Sequence, residues 1–154
     1  MRTVVAVPVW VIVCFAVGLL ASYLQNEALM MWYPLLWRSP LTPPNIVFPI
    51  VWSILYLLMG ISAGLVQGSG HETRRLVMTV FIVQLVFNFL WCITFFTLRN
   101  PLLGFLDILL LDAMVLLYIV LSYRVNRLAS YLFVPYIAWL LMATYLNLYI
   151  YLHN

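Results

Sequence analysis

Residues 32–56 read WYPLLWRSPLTPPNIVFPIVWSILY, and this stretch runs from a loop into the interior of an apolar helix. It holds three of the six tryptophans and five of the eight prolines. Pro34, Pro40, Pro43 and Pro44 forbid a continuous helix in its first half, because each lacks an amide hydrogen and crowds the residue before it. Trp32, Tyr33 and Trp37 pair an apolar body with a polar tip, the ring type that settles at a membrane–water boundary. Beyond Pro44 the apolar run begins. Phe48, Trp52 and Tyr56 recur there every four residues, which puts three rings on one helix face. A proline-stiffened loop feeding an aromatic-faced helix reads as a lid over a pocket.

The rest of the chain is equally apolar. Of its 154 residues 67% are hydrophobic and 7% charged, with a mean hydropathy of +1.11. A soluble domain is about half apolar and a quarter charged, so eleven charged side chains cannot cover a water-soluble surface of this size. The apolar runs are continuous and do not alternate every second residue, so the spans are helices and not barrel strands. The fold class is therefore all-α, an integral membrane bundle. The net charge of +3 comes from arginines scattered over loop ends, with no lysine. That is no nucleic-acid patch. Cys14 and Cys92 fall inside apolar runs and read as small packing residues, with neither disulfide nor metal spacing.

Five spans are expected, at about 4–24, 45–66, 76–98, 102–123 and 131–152, with the Trp/Pro-rich lid loop at 25–44. Arg2, the first apolar run and Ala21-Ser22 have the outline of a signal peptide. The run, however, is long enough to cross a hydrocarbon core of about 30 Å, and no A-x-A site follows. Span two carries Gly60 and Gly64, with Gly68 just beyond, a spacing that admits another helix closely. The partner is a neighbouring span or a second copy of the chain, the former being the ordinary need of any bundle. Pro101 suits the first turn of span four. With five spans, Arg2, Arg74, Arg75, Arg124 and Arg127 share one side, and Arg38 and Arg99 the other. The positive-inside rule then puts the N-terminus in the cytoplasm and the C-terminus outside.

Polar groups inside a bilayer are costly unless paired. Gln84, Asn88, Trp91 and Phe95 step by four, three and four along one face of span three. Trp139, Ala143 and Asn147 step by four along span five, with Tyr136 one turn earlier. If these stripes and that of span two converge, they form a flat-walled pocket with a few amides. Such a site suits a bulky planar ligand with a polar edge, and Ala143 leaves it space. The same spacing also serves plain helix–helix packing. Asp107 and Asp112 lie about 140° apart on span four. They read either as a proton or ion site or as carboxylates paired with an arginine or a backbone donor. No Ser–His–Asp set, phosphate loop or zinc spacing is present in the sequence.

Trp32-Tyr33, Thr42-Pro43-Pro44, Phe48, Trp52, Leu55-Tyr56 and Met59-Gly60 together resemble the TspO/MBR family, the tryptophan-rich sensory and translocator proteins. Gln84-Leu85, Asn88, Trp91 and Phe95-Phe96 resemble that family's third helix. Pro135-Tyr136, Trp139 and Ala143-Thr144-Tyr145-Leu146-Asn147 resemble its fifth. The resemblance implies a five-helix bundle, usually a homodimer associating through span three. It also implies binding of protoporphyrin IX and related tetrapyrroles and of isoquinoline or benzodiazepine ligands. The pocket positions it implies are Trp32, Tyr33, Pro43, Pro44, Phe48, Trp52, Tyr56, Asn88, Trp91, Trp139, Ala143 and Asn147, to which the stripes add Gln84 and Phe95. Trp52 and Trp139 match the tryptophans to which light-dependent porphyrin breakdown has been attached. Two departures stand out. Ser39-Pro40-Leu41 replaces the usual Pro-x-Trp of the lid, leaving Trp37 as the candidate stand-in. No lysine or arginine follows Tyr145, so the sterol motif is incomplete. The short C-terminus looks bacterial, so the expected setting is a bacterial cytoplasmic membrane.

Three functions follow as expectations. The first is a tetrapyrrole binder for transport or sensing, with porphyrin as ligand, no required cofactor and no metal. The second is a catalyst of porphyrin photo-oxidation. The third is a structural bundle without a ligand.

Overall fold

The computed structural model describes residues 2–154. Among them five helical spans are long and apolar enough to cross a membrane, so the chain is a multi-pass helical membrane protein. They are α1 (Thr3–Met31), α2 (Val47–Gln67), α3 (Arg74–Trp91, run on as a π-helical turn at Cys92–Thr97), α4 (Pro101–Val125), and a last span made of α5 (Arg127–Tyr131) and α6 (Val134–His153).

Local chemistry fixes the ends. The Asn100 side chain caps α4 by accepting from the Leu103 amide at 3.1 Å, and Pro101 follows at the first helical position. Asn126 caps α5 in the same way, accepting from the Ala129 amide at 3.1 Å. The α3–α4 turn closes with Arg99 in the left-handed region, at φ 52°. α1 runs past its expected end near Leu24 to Met31. Gln25, Glu27, Ala28, Leu29, Met30 and Met31 all favour helix, so polarity there marks emergence from the bilayer and not a loop. The lid is accordingly shorter than 25–44. The last span also differs, since it starts at Arg127 and breaks at Leu132-Phe133 before resuming at Val134.

α1 packs along α2, α2 on α3, α3 on α4, and α4 on α6. The glycine stripe of α2 makes the first of these contacts. A Cβ on Gly60 or Gly64 would overlap the α1 backbone at Val11 or Val7, and one on Gly68 would overlap Thr3. Those glycines therefore serve packing within the chain, which removes them as a face for a second copy. A dense core lies toward the α5 end, where Tyr118 and Phe133 rings sit 4.2 Å apart beside Phe81 and Tyr136. Ser62 ties α2 there, donating to the Ala129 carbonyl at 2.7 Å and lying 2.8 Å from the Tyr118 hydroxyl. The backbones of α2 and α6 barely approach one another. Side chains alone close that seam.

Candidate functional site

The three stripes converge. Tyr56 of α2 donates its hydroxyl to Asn88 Oδ1 of α3 at 2.8 Å. Asn88 Nδ2 donates to the Tyr136 hydroxyl of α6 at 2.7 Å, and Tyr136 donates to Gln84 Oε1 at 3.0 Å. All four side chains are buried. A buried network with both amides engaged holds three helices in register, and a missing member leaves at least one buried polar group without its partner. Tyr136, placed on the span-five stripe by spacing but not among the expected pocket positions, links Asn88 to Gln84 in it. Its place three residues before Trp139 is the signal that marks the same helix face.

Around this network the rings pack on one another. Trp52 lies between Tyr56 and Tyr136, with centroids at 5.7 and 6.3 Å. Phe48 meets Trp139 edge-on at 5.6 Å, which closes the α2–α6 seam. Trp139 Nε1 is buried without a partner. Ala143 is half-buried against the same core. A second cluster sits at the neighbouring end of α1 and α3. There Trp91 stacks on Phe95 at 5.4 Å and donates its indole N–H to Asn147 Oδ1 at 3.0 Å. Asn147 Nδ2 in turn donates to the Pro101 carbonyl at 2.8 Å. Trp32 packs edge-on to Phe95 at 5.6 Å, and Tyr33 lies 5.8 Å from Phe96. The expected residues thus form two adjoining clusters that share Trp91.

Two open clefts flank them. An apolar groove of about 430 Å³ follows the α2–α6 seam, lined by Val51, Ile54, Leu55, Ala138, Trp139 and Met142 among others. A wider cleft of about 520 Å³ lies in the α1–α2 connection, residues 32–46, which forms a cap on this end of the bundle; there Pro43 and Pro44 line it with Arg38, Ser39, Thr42 and Asn45. The cap is tied down over α6. Ser39 Oγ lies 2.9 Å from the Tyr145 hydroxyl, and the Trp37 amide donates to Asn154 Oδ1 at 2.9 Å. Asn154 Nδ2 returns a bond to the Trp37 carbonyl at 3.0 Å. Trp37 itself is 76% exposed, so it does not replace an inward lid tryptophan. The Arg38 guanidinium sits 4.9 Å from the Tyr33 ring centre. Burial pushes the Tyr33 phenol above its ordinary value, and Arg38 pulls it back down.

These positions carry the pattern of a known family over almost the whole chain. The sequence profile of the TspO/MBR family matches residues 10–152. The chain belongs to the TspO/MBR family. It is 39% identical over 144 residues to the "Tryptophan-rich protein TspO" of Archaeoglobus fulgidus, covering 94% of each chain. It is 36% identical to "Protein CrtK" of Rhodobacter capsulatus, over 90% of this chain and 86% of that one. "Translocator protein 2" of Canis lupus familiaris is 30% identical, over 79% and 73%.

Among the described residues neither aspartate of span four pairs with an arginine, one of the partners the sequence left open. Asp112 accepts the Thr144 hydroxyl at 2.7 Å, and Asp107 is buried with Oδ2 unpartnered. On the cap side the one ion pair among the described residues joins Arg99 to Glu27 at 3.2 Å. Among those residues no group of His, Cys, Asp and Glu has the arrangement of a metal site.

Proposed function

We propose that this TspO/MBR-family protein binds tetrapyrroles such as protoporphyrin IX between α2, α3 and α6, for transport or sensing. The observation that carries the reading is the convergence of the Tyr56–Asn88–Tyr136–Gln84 network with Trp52 and Trp139 beside a seam that only side chains close. Aromatic walls offer dispersion contacts to a flat macrocycle. The amides and hydroxyls offer acceptors and donors to its pyrrole nitrogens. The apolar groove at Val51, Ile54, Ala138 and Trp139 opens sideways, which suits a ligand already dissolved in the bilayer. Family kinship makes the same ligand class the natural first choice.

The test is a titration of protoporphyrin IX into the protein in nanodiscs, in the dark, followed by tryptophan fluorescence. Saturable quenching weakened by Trp139→Phe and Asn88→Leu is expected. Linear quenching, the same in all three proteins, would mean partition into lipid and would end the reading. A second reading, photochemical breakdown of the porphyrin, is favoured by one feature: Trp52 has the oxidisable rings of Tyr56 and Tyr136 beside it. It requires that illumination bleach the bound porphyrin and that Trp52→Phe slow the bleaching.

A further inference from the structure

The cap contains a cation with no anion to meet. Two arginines lie on the cap side, Arg38 and Arg99. Arg99 is paired with Glu27 at 3.2 Å. Arg38 has no carboxylate within ion-pair distance among the described residues. It is half-buried, its guanidinium carbon lies 4.9 Å from the Tyr33 ring centre, and it lines the cleft of about 520 Å³. A guanidinium carries five N–H donors, more than the one Tyr33 side chain beside it can accept, so donors remain for a carboxylate. The same cleft presents the polar side chains of Ser39, Thr42 and Asn45. Its floor is Pro43-Pro44, and Phe48, one helical turn further on, opens the aromatic cluster.

We infer that Arg38 is a specificity residue that pairs with a carboxylate of the ligand, so that the protein selects carboxylate-bearing planar macrocycles over their uncharged counterparts. The apolar plate then lies toward the α2–α6 seam, and the acidic edge stays at the wet mouth. A charged edge kept at the mouth avoids the desolvation cost of carrying it into the bundle. The inference rests on the binding reading above.

The experiment compares protoporphyrin IX with its dimethyl ester, which keeps the ring and removes both charges. Each is titrated in the dark into wild type, Arg38→Met and Arg38→Lys in nanodiscs of zwitterionic phosphatidylcholine. The expected result is that Arg38→Met weakens the diacid about tenfold while shifting the ester less than twofold. The tenfold loss corresponds to about 1.4 kcal/mol. Arg38→Lys recovers part of it, since a point charge replaces a planar fork. Raising the salt concentration narrows the gap between diacid and ester in wild type only. Equal weakening of both ligands by Arg38→Met would assign the residue to lid packing and overturn the inference. So would no weakening of either. In both cases saturable binding to wild type leaves the porphyrin reading standing. If neither porphyrin saturates wild type, both fall.

Discussion

Asn88→Leu is the sharpest test of the interior. It removes the acceptor for the Tyr56 hydroxyl and the donor to the Tyr136 hydroxyl, at 2.8 and 2.7 Å. Tyr136 keeps a partner in Gln84 Oε1, whereas the Tyr56 hydroxyl is left alone in a buried site. Side-chain hydrogen bonds inside membrane bundles average about 0.6 kcal/mol and reach about 1.7. Two lost bonds therefore predict a destabilisation of about 1–3 kcal/mol. Tyr56→Phe removes only the first bond and should cost about 0.5–1.5 kcal/mol. In the Asn88→Leu background the hydroxyl is already stranded, so the same substitution should cost nothing or restore some stability. The coupling across this cycle is expected to be about 1 kcal/mol, read from reversible unfolding of the four proteins in mixed micelles. Unconnected sites add to within about 0.5 kcal/mol. Additive costs would show that the four side chains do not act as a network. The ligand response then separates lining from packing. Tyr56→Phe frees Asn88 Oδ1 and should tighten protoporphyrin IX several-fold, while Asn88→Leu weakens it about tenfold. Weakening by both, in proportion to lost stability, would make the network purely structural.

The other outcomes follow from single contacts. Gly64→Val drives a side chain into the α1 backbone at Val7. It should cost at least about 1–3 kcal/mol, and an unchanged melting temperature would break the α1–α2 packing described above. Arg99 sits at φ 52°, so Arg99→Val should destabilise by about 1–2 kcal/mol while Arg99→Gly should not. Equal effects from the two would place the cost in the exposed Glu27 pair instead. Thr144→Val takes away the donor to Asp112 and should cost about 1 kcal/mol or more in micelle unfolding, whereas Asp112→Asn should be better tolerated. The ridge of Ile82, Val86 and Leu90 on α3 is exposed in the single chain. Val86→Cys should cross-link to a second copy in nanodiscs if span three is the association face, and a cysteine at Leu117 of α4 should not.

The membrane class and the five spans are legible from composition and run length, because a bilayer imposes both. The direction of each stripe is legible too. Phe48, Trp52 and Tyr56 share a face because helix geometry demands it, and that face does meet α3 and α6. Partners are less legible. The spacing of Gly60 and Gly64 announces a close helix contact but says nothing of which helix, and α1 supplies it. The seven residues before Trp32 read as loop from their polarity, yet their helix propensity carries α1 to Met31. The π-helical turn at Cys92–Thr97 has no simple sequence mark. Arg38 and Ser39 gain meaning only when the folded cap sets them around a common cleft and against Tyr33 and Tyr145.

Periodicity also cannot tell a ring that lines a space from a ring that fills it. Here Trp52, Trp139, Phe48 and Tyr136 fill it, so a ligand entering between them would have to move them. A ligand that needs an opened site has its affinity reduced by the fraction of molecules already open. The cost of opening should therefore be lowest where backbones are already apart. That place is the α2–α6 seam, held by the Phe48–Trp139 contact at 5.6 Å and bordered by the apolar groove. An aromatic pair contributes about 0.5–1.5 kcal/mol beyond the area it buries. Phe48→Ala should then raise the open fraction and speed porphyrin association several-fold from the bilayer. It also deletes one wall of the site, so dissociation should quicken as well. Stopped-flow quenching resolves the two rates. Faster association together with faster dissociation identifies Phe48 as a latch on the seam. Faster dissociation alone leaves it as a wall, and entry would then have to pass through the cap.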